Sequence, residues 1–291
     1  MPIAAPGFRL PDDTRLGKVA LQVADLTRSL EYYLTVLGFR LLDRAGSVAR
    51  LGAADGDQVL VELHEHPGAR PVRRRGLLGL YHFAVLLPSR PDLGRFLQHV
   101  ETRGIRPGAS EHLVSEALYL VDPDGITIEV YRDRPRAEWP IREGQMIAAI
   151  EPLDREGVLG AAGTEPWRGM PAGTTIGHVH FFVDDIAAAE AFYHAALGFD
   201  KTIWNLPGLL FVAAGGYHHH VGLNTWAAGA PVATGEDARL LFWELVLPDA
   251  VIARAEESLG RAGYPVVAAD GARAASDPWG ITVHLVSGVG G

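Results

Sequence analysis

The chain repeats one pattern four times, and that repetition limits its folds more than any other feature. Lys18-Val19-Ala20-Leu21-Gln22-Val23-Ala24-Asp25 aligns with His178-Val179-His180-Phe181-Phe182-Val183-Asp184-Asp185. Tyr32-Tyr33 aligns with Phe192-Tyr193, and Leu37-Gly38-Phe39 with Leu197-Gly198-Phe199. The turn Asp122-Pro123-Asp124-Gly125 returns as Asp277-Pro278-Trp279-Gly280, and Leu87-Pro88 returns as Leu247-Pro248. Within each unit the apolar period changes from that of a strand to that of a helix and back. Every unit therefore reads as strand, helix and three strands.

In module 1 the first strand is expected over 17–23. Asp25 caps a helix whose apolar face is Leu26, Leu30, Tyr33 and Leu37, and Gly38 ends it. Strands follow near 40–44, 47–51 and 58–65. Module 2 repeats the order with a strand at 81–87, a helix at 92–103 and a hairpin through Tyr131. Module 4 has a strand at 242–247, a helix at 249–261 and a hairpin over Asp277–Gly280. Gly216–Asn224 reads as the last strand of module 3. One such unit cannot cover both faces of its curved sheet; paired units bury the helices outside and leave a concave cup between them. The expected class is α+β: four βαβββ modules forming two open β-cups. Modules 1 and 2 are expected over 1–134 and modules 3 and 4 over 175–291. Residues 135–174, rich in Pro, Gly and charge, read as a linker with one short helix within 153–162.

Bulk properties exclude several function classes. The chain has 291 residues, enough for two buried cores, and no cysteine. Disulfides, thiolate zinc sites and cysteine nucleophiles are thereby removed, leaving His, Asp and Glu as metal ligands. The net charge is −9 and the longest basic run is Arg73-Arg74-Arg75, so no nucleic-acid partner is expected. Met1–Leu10 lacks the charged and apolar regions of a signal peptide, and no apolar run reaches the length of a membrane span. No membrane partner is expected, and the cytoplasm is the expected location.

The histidines carry the chemistry. Of the 12, His99 and His194 fall on helices and are expected at the surface. The position held by Lys18 in the first strand of module 1 is held by His82, His178 and Phe242 in modules 2, 3 and 4. Aligning the two Asp-Pro turns sets Glu129 of module 2 against His284 of module 4. Counting outward from the Asp122–Ile126 turn places Tyr119 opposite Glu129 on one face of the hairpin. Singly, these residues have ordinary explanations: a solvated glutamate, a core histidine bonded to backbone. Two histidines at the repeat-equivalent position, with a carboxylate nearby, instead suit a metal bound on one side and open on the other.

Three stretches resemble the vicinal-oxygen-chelate superfamily, and more closely its two-domain catechol 2,3-dioxygenase (type I extradiol) branch. They are Gly215–Trp226 (Gly-Gly-Tyr-His-His-His-Val-Gly-Leu-Asn-Thr-Trp), Leu80–Pro88 (Leu-Tyr-His-Phe-Ala-Val-Leu-Leu-Pro), and His112–Tyr119 leading into Asp-Pro-Asp-Gly. The resemblance implies an extradiol ring-cleaving dioxygenase acting on a small aromatic diol and O₂. It implies His82, His178 and Glu129 as ligands of Fe(II), with Mn(II) the alternative metal. It further implies Tyr119 as a substrate hydrogen-bonding residue and His220 as the acid–base group, with His219 as fallback. His112 matches a supporting histidine, at shorter spacing from the tyrosine than usual. Tyr217, Trp226 and Phe211 are expected to wall the site.

This chain departs from the usual pattern, in which modules 3 and 4 hold the metal. Here module 4 has Phe242 and His284 where a histidine and glutamate are required, and module 1 has Lys18. Modules 2 and 3 are therefore expected to face each other around the metal, with modules 1 and 4 forming a vacant pair. The set His178, Glu244 and His284, joined by His180, is the alternative. Two other function classes fit less of the sequence: a glyoxalase-type isomerase, whose second carboxylate would be Glu62, and a metal-free protein that binds an aromatic ligand. Oligomeric state, including a homo-oligomer, is left open.

Overall fold

Alternating apolar residues build the strands, and Asp or Ser caps start every α-helix but the last, which Pro248 precedes without a side-chain cap. The computed structural model describes residues 7–54, 56–147, 149–269 and 271–288; the first six residues, part of the leader read for a signal peptide, lie outside them. Module 1 comprises β1 (Arg15–Val23), α1 (Leu26–Tyr32), β2 (Arg40–Ala45), β3 (Val48–Gly52) and β4 (Val61–Glu65). Module 2 comprises β5 (Gly79–Leu86), α2 (Arg90–Thr102), β6 (Gly108–Glu111), β7 (Ser115–Val121) and β8 (Thr127–Asp133). The connection carries β9 (Ile141–Arg142), β10 (Gln145–Met146) and α3 (Arg155–Ala161). Module 3 comprises β11 (Thr175–Phe182), α4 (Ile186–Glu190), β12 (Asp200–Ile203), β13 (Leu209–Ala213) and β14 (Val221–Asn224). Module 4 comprises β15 (Arg239–Leu247), α5 (Asp249–Arg261), β16 (Val267–Ala269), β17 (Ala272–Ser276) and β18 (Thr282–Ser287).

The strands form two eight-stranded sheets. One joins modules 4 and 1 in the order β16-β17-β18-β15-β1-β4-β3-β2; the other joins modules 3 and 2 in the order β12-β13-β14-β11-β5-β8-β7-β6. First strands pair antiparallel at each centre, β1 with β15 and β5 with β11. The α+β architecture of two β-cups is thus the one observed. The sheets meet in a common core in which Phe181 of β11 lies 6.3 Å from Trp243 of β15, centroid to centroid.

Repeat-equivalent polar contacts tie the modules together. Asp25 and Asp185 cap the first helices of modules 1 and 3 by accepting backbone N–H groups one turn on. Both helices end in a wider π-turn, Tyr33–Leu37 and Ala191–Ala196. That turn shifts the helical phase by about one residue. It turns His194 inward, contrary to the expected surface position: the ring is buried and Nδ1–H donates to the Phe199 carbonyl at 2.6 Å. Tyr33 Oη donates to Asp122 across the module boundary (3.1 Å), and Tyr193 Oη does the same to Asp277 (2.9 Å). In the Asp-Pro-Asp-Gly turn, Asp122 Oδ1 accepts the N–H groups of Asp124 and Ile126. Gly125 takes φ +84°, and a Cβ there would lie 2.1 Å from the Val72 carbonyl oxygen, so only glycine fits. The hairpin register sets Tyr119 against Glu129.

Candidate metal centre

The central pair of the second sheet brings two histidines together. Val179 pairs with Phe83, and the local twofold through that pair relates His178 to His82. β8 runs parallel to β5 with Glu129 beside Ala84, which in turn faces His178. The small alanine between them leaves room for both longer side chains to lean inward. His82 Nε2 lies 3.0 Å from Glu129 Oε2, His178 Nε2 lies 3.2 Å from the same oxygen, and the two nitrogens are 3.3 Å apart. Donors about 2.1 Å from one ion and at right angles to each other are about 3.0 Å apart, so the three atoms match one face of a coordination sphere. They form the one such group of three found among the described residues.

The electrostatics fit a cation as well. Glu129 is 2% exposed, and no lysine or arginine pairs with it among the described residues. Burial by itself would raise its carboxyl; His178 and His82 outweigh that and hold it well below the usual range. Burial pushes both imidazoles down, toward the neutral form that ligates metal. No lysine or arginine gives this buried carboxylate a permanent counter-charge among the described residues, and a divalent ion would supply one.

A cavity of about 280 Å³ opens over these side chains, lined among others by Tyr81, Tyr119, His180, Phe211 and Trp226. Met146, Ile147, Ala149 and Ile150 close another side. The stretch expected to be only a linker therefore supplies part of the wall. His112 Nδ1 lies 2.9 Å from the Ala149 carbonyl, which can only accept, so that nitrogen carries the hydrogen. With that tautomer Nε2 accepts from Tyr119 Oη at 2.8 Å, and the tyrosine oxygen keeps its lone pairs for the cavity. Burial, and then the Glu129 charge, push the Tyr119 hydroxyl well above its ordinary pKa, so it stays protonated.

The three consecutive histidines precede β14 instead of lying in it, and each has a different place. His219 lines the cavity, its ring 4.1 Å from His178 and stacked on Phe211 at 4.4 Å. His220, the residue expected to act there, is not among the cavity-lining residues. It is buried with Nδ1 accepting from Ala214 N–H (3.1 Å) and its ring near Tyr217 and Phe199. That expectation came from the resemblance, which placed the histidines on the last strand of module 3; Gly215 and Gly216 instead turn the chain with positive φ just before them. His218 also borders the cavity and donates from Nε2 to Asp133 Oδ1 at 2.8 Å; its Nδ1 lies 2.7 Å from His219 Nδ1. With a hydrogen on Nε2 directed at the carboxylate, His218 presents Nδ1 as the acceptor. His219 therefore donates from Nδ1 and keeps a lone pair on Nε2. Burial, first, and then the neighbouring histidines hold His219 well below its ordinary pKa.

Asp133 escaped sequence reasoning because the hairpin of module 2 was read only through Tyr131. Strand alternation from Glu129 through Tyr131 could have found it. Phe211 and Trp226 form walls as expected, whereas Tyr217 lies behind the cavity, hydrogen-bonded to Tyr131 Oη (2.7 Å) and Asp133 (3.2 Å). His180, also buried in the cavity wall, bonds Asn224 at 2.9 Å, and Gly222 makes room for it: a Cβ there would lie 2.8 Å from its ring.

The cup of modules 1 and 4 holds an ammonium group instead of this triad. Lys18 Nζ lies 2.9 Å from Glu62 and 3.6 Å from Glu244, while Phe242 stacks on His284 at 3.9 Å. Glu62 also meets His64 (2.6 Å) and Arg50 (3.1 Å). Glu62 is thus no second carboxylate for the triad. The alternative set fails too, because His178 lies on one sheet and Glu244 and His284 on the other.

Residues 15–130 and 175–285 match the family model described as the Glyoxalase/Bleomycin resistance protein/Dioxygenase superfamily. The chain belongs to this superfamily. Its relatives include the catechol-2,3-dioxygenase of Bacillus subtilis (strain 168), 46% identical over 241 residues that span 81% of this chain and 84% of that protein. Biphenyl-2,3-diol 1,2-dioxygenase 3 of Rhodococcus globerulus is 32% identical over 122 residues, 41% of this chain and 63% of that one. Among solved structures of the superfamily fold, a putative dioxygenase from Bacillus subtilis superposes with a TM-score of 0.64 at 13% identity, covering 97% of this chain and 87% of the other. Glyoxalase I from Zea mays gives 0.56 at 17% identity, covering 94% and 92%.

Proposed function

We propose that the protein is an extradiol ring-cleaving dioxygenase that inserts O₂ into a catechol-type aromatic diol. The convergence of His82, His178 and Glu129 beneath a largely apolar cavity carries this reading, supported by the 46% identity to a catechol-2,3-dioxygenase. The three side chains would hold Fe(II), or Mn(II) as the alternative, on one side of the ion. A bound ion of this kind supplies open positions for diol and O₂ and passes electrons between them.

The chain's own groups do the rest. Tyr119 accepts a hydrogen bond from a diol hydroxyl, because its own hydrogen is committed to His112. His219 takes a diol proton on Nε2 and later returns it, as general base and then general acid. Asp133 and His218 keep that lone pair directed at the cavity. Tyr81, Phe211 and Trp226 flank the ring and exclude water. No helix among the described residues is long and apolar enough to cross a membrane, and we place the reaction in the cytoplasm.

The test is metal analysis of anaerobically purified protein together with O₂ uptake and the absorbance of the opened ring. About one iron or manganese per chain and O₂ consumption with catechol are expected. Zinc or nickel at full occupancy with glutathione-dependent isomerase activity and no O₂ uptake would overturn the assignment.

A further inference from the structure

Beyond Tyr81 and Tyr119 lies a second compartment of about 460 Å³, for which both tyrosines also serve as wall. One of its sides is the segment between β4 and β5, bearing Arg73, Arg74 and Arg75; Arg239, the first residue of β15, lines it as well. Four guanidinium groups and no carboxylate line this space, in a chain whose net charge is −9. Leu80, Val121 and Phe182 make much of the remaining wall apolar.

Arg73, Arg74 and Arg239 make no ion pair or side-chain hydrogen bond among the described residues, and Arg239 Nε is buried without a partner. Arg75 lies over the Trp226 ring at 5.9 Å, and that tryptophan belongs to the wall of the first cavity. The segment is held at both ends: Val72 N–H donates to the Asp124 carbonyl and Leu78 N–H to the Pro231 carbonyl, each at 2.8 Å. Between these anchors Arg75 adopts φ +55°, an unfavourable conformation for a side chain of its size. Solvent-exposed Arg73–Arg75 and half-buried Arg239 beside apolar walls, with no carboxylate within 4 Å among the described residues, suit a planar anion that accepts forked hydrogen bonds.

We propose that this compartment binds a carboxylate carried on a side arm of the aromatic diol, making Arg74, Arg75 and Arg239 specificity-determining residues. The inference rests on the ring-cleavage reading and names its substrate class: catechols with an anionic arm. Two features tie the anion to the substrate. Tyr81 and Tyr119 border both spaces, and Arg75 touches a wall of the ring-binding cavity. A diol held beneath Tyr119 therefore has its substituents at the boundary of the arginine-lined space.

The experiment compares 3,4-dihydroxyphenylacetate with uncharged 4-ethylcatechol as substrates of the metal-loaded protein. The ratio of their kcat/KM values should favour the carboxylate by about tenfold or more at low salt and shrink as salt is added. In the Arg74→Ala/Arg75→Ala double variant the ratio should fall toward unity, and Arg239→Gln should lower it as well. A second measurement needs no turnover: phenylacetate binding to metal-free protein, followed by tryptophan fluorescence, should weaken by a similar factor in the double variant. A wild-type ratio near one with brisk turnover of both diols overturns the proposal while leaving ring cleavage intact. Phenylacetate binding without any substrate preference also overturns it, because it assigns the arginines to a free anion. Failure to open either ring, with metal bound, overturns the ring-cleavage reading and this inference with it.

Discussion

His219 and His178 lie with their ring centroids 4.1 Å apart, which puts a histidine with a free Nε2 beside a candidate ligand of the metal. Replacing His219 by Ala is expected to leave the metal bound and to lower turnover by about 10²–10⁴, the range for a lost acid–base group. Loss of metal in that variant would make His219 a ligand. Asp133→Asn, which weakens the hold on His218, should lower turnover by about tenfold with metal retained. His220→Ala should mainly destabilise the fold, by about 2 kcal/mol or more for a buried ring, and thermal unfolding beside kinetics separates the two effects.

Glu129 is a buried carboxylate without a permanent cation. Glu129→Gln should abolish tight metal binding and also lower the stability of the metal-free protein near neutral pH, because His178 and His82 hold the wild-type carboxyl well below its usual range. Wild type should gain thermal stability on adding Fe(II) anaerobically, and the variant should not. His82→Ala and His178→Ala should also lower metal content, as elemental analysis would show. A full metal complement in any of the three would refute the ligand set.

Tyr119→Phe removes both the hydrogen bond to His112 and the acceptor facing the cavity. We expect KM for catechol to rise about five- to tenfold, the equivalent of about 1–1.5 kcal/mol for one hydrogen bond, with a smaller change in kcat. Metal content should not change. An unaltered KM would mean that the tyrosine oxygen does not meet the diol.

The Lys18 cup predicts a pH dependence of stability. The hydrogen bond from His64, and then Lys18, lower the Glu62 carboxyl from 4.5 to about 2 against the opposing effect of burial. A carboxyl with a depressed folded-state pKa stabilises the protein fully above its unfolded value and loses that contribution as pH falls through the folded one. Glu62→Gln should therefore cost up to about 3 kcal/mol above pH 5 or so, with the difference from wild type vanishing toward pH 2. Denaturant titrations of both proteins between those limits measure it; a difference independent of pH would show that Glu62 acts through packing alone.

The four βαβββ units, the helix caps and the Tyr119–Glu129 register were legible from the sequence. Each is set by neighbours a few residues apart: an apolar period, an Asp before a helix, a turn that only Gly125 can make. His82, His178 and Glu129 were also legible as candidates, because repeat-equivalent positions share a place on equivalent strands. The direction of His220 was not, since the resemblance placed it on the last strand of module 3, whereas two positive-φ glycines make a turn just before the three histidines. Nor was the contribution of Met146, Ile147, Ala149 and Ile150 to the cavity wall, because a Pro- and Gly-rich stretch has no period to reveal which side it packs against. The arginine-lined compartment is the clearest case. In the sequence, Arg73-Arg74-Arg75 is one short basic run and Arg239 an unrelated strand residue. Their juxtaposition arises only where separate chain segments meet. Local chemistry determines strands, turns and caps, whereas charge neutralisation and cavity walls depend on which distant segments the packed sheets bring within a few ångströms.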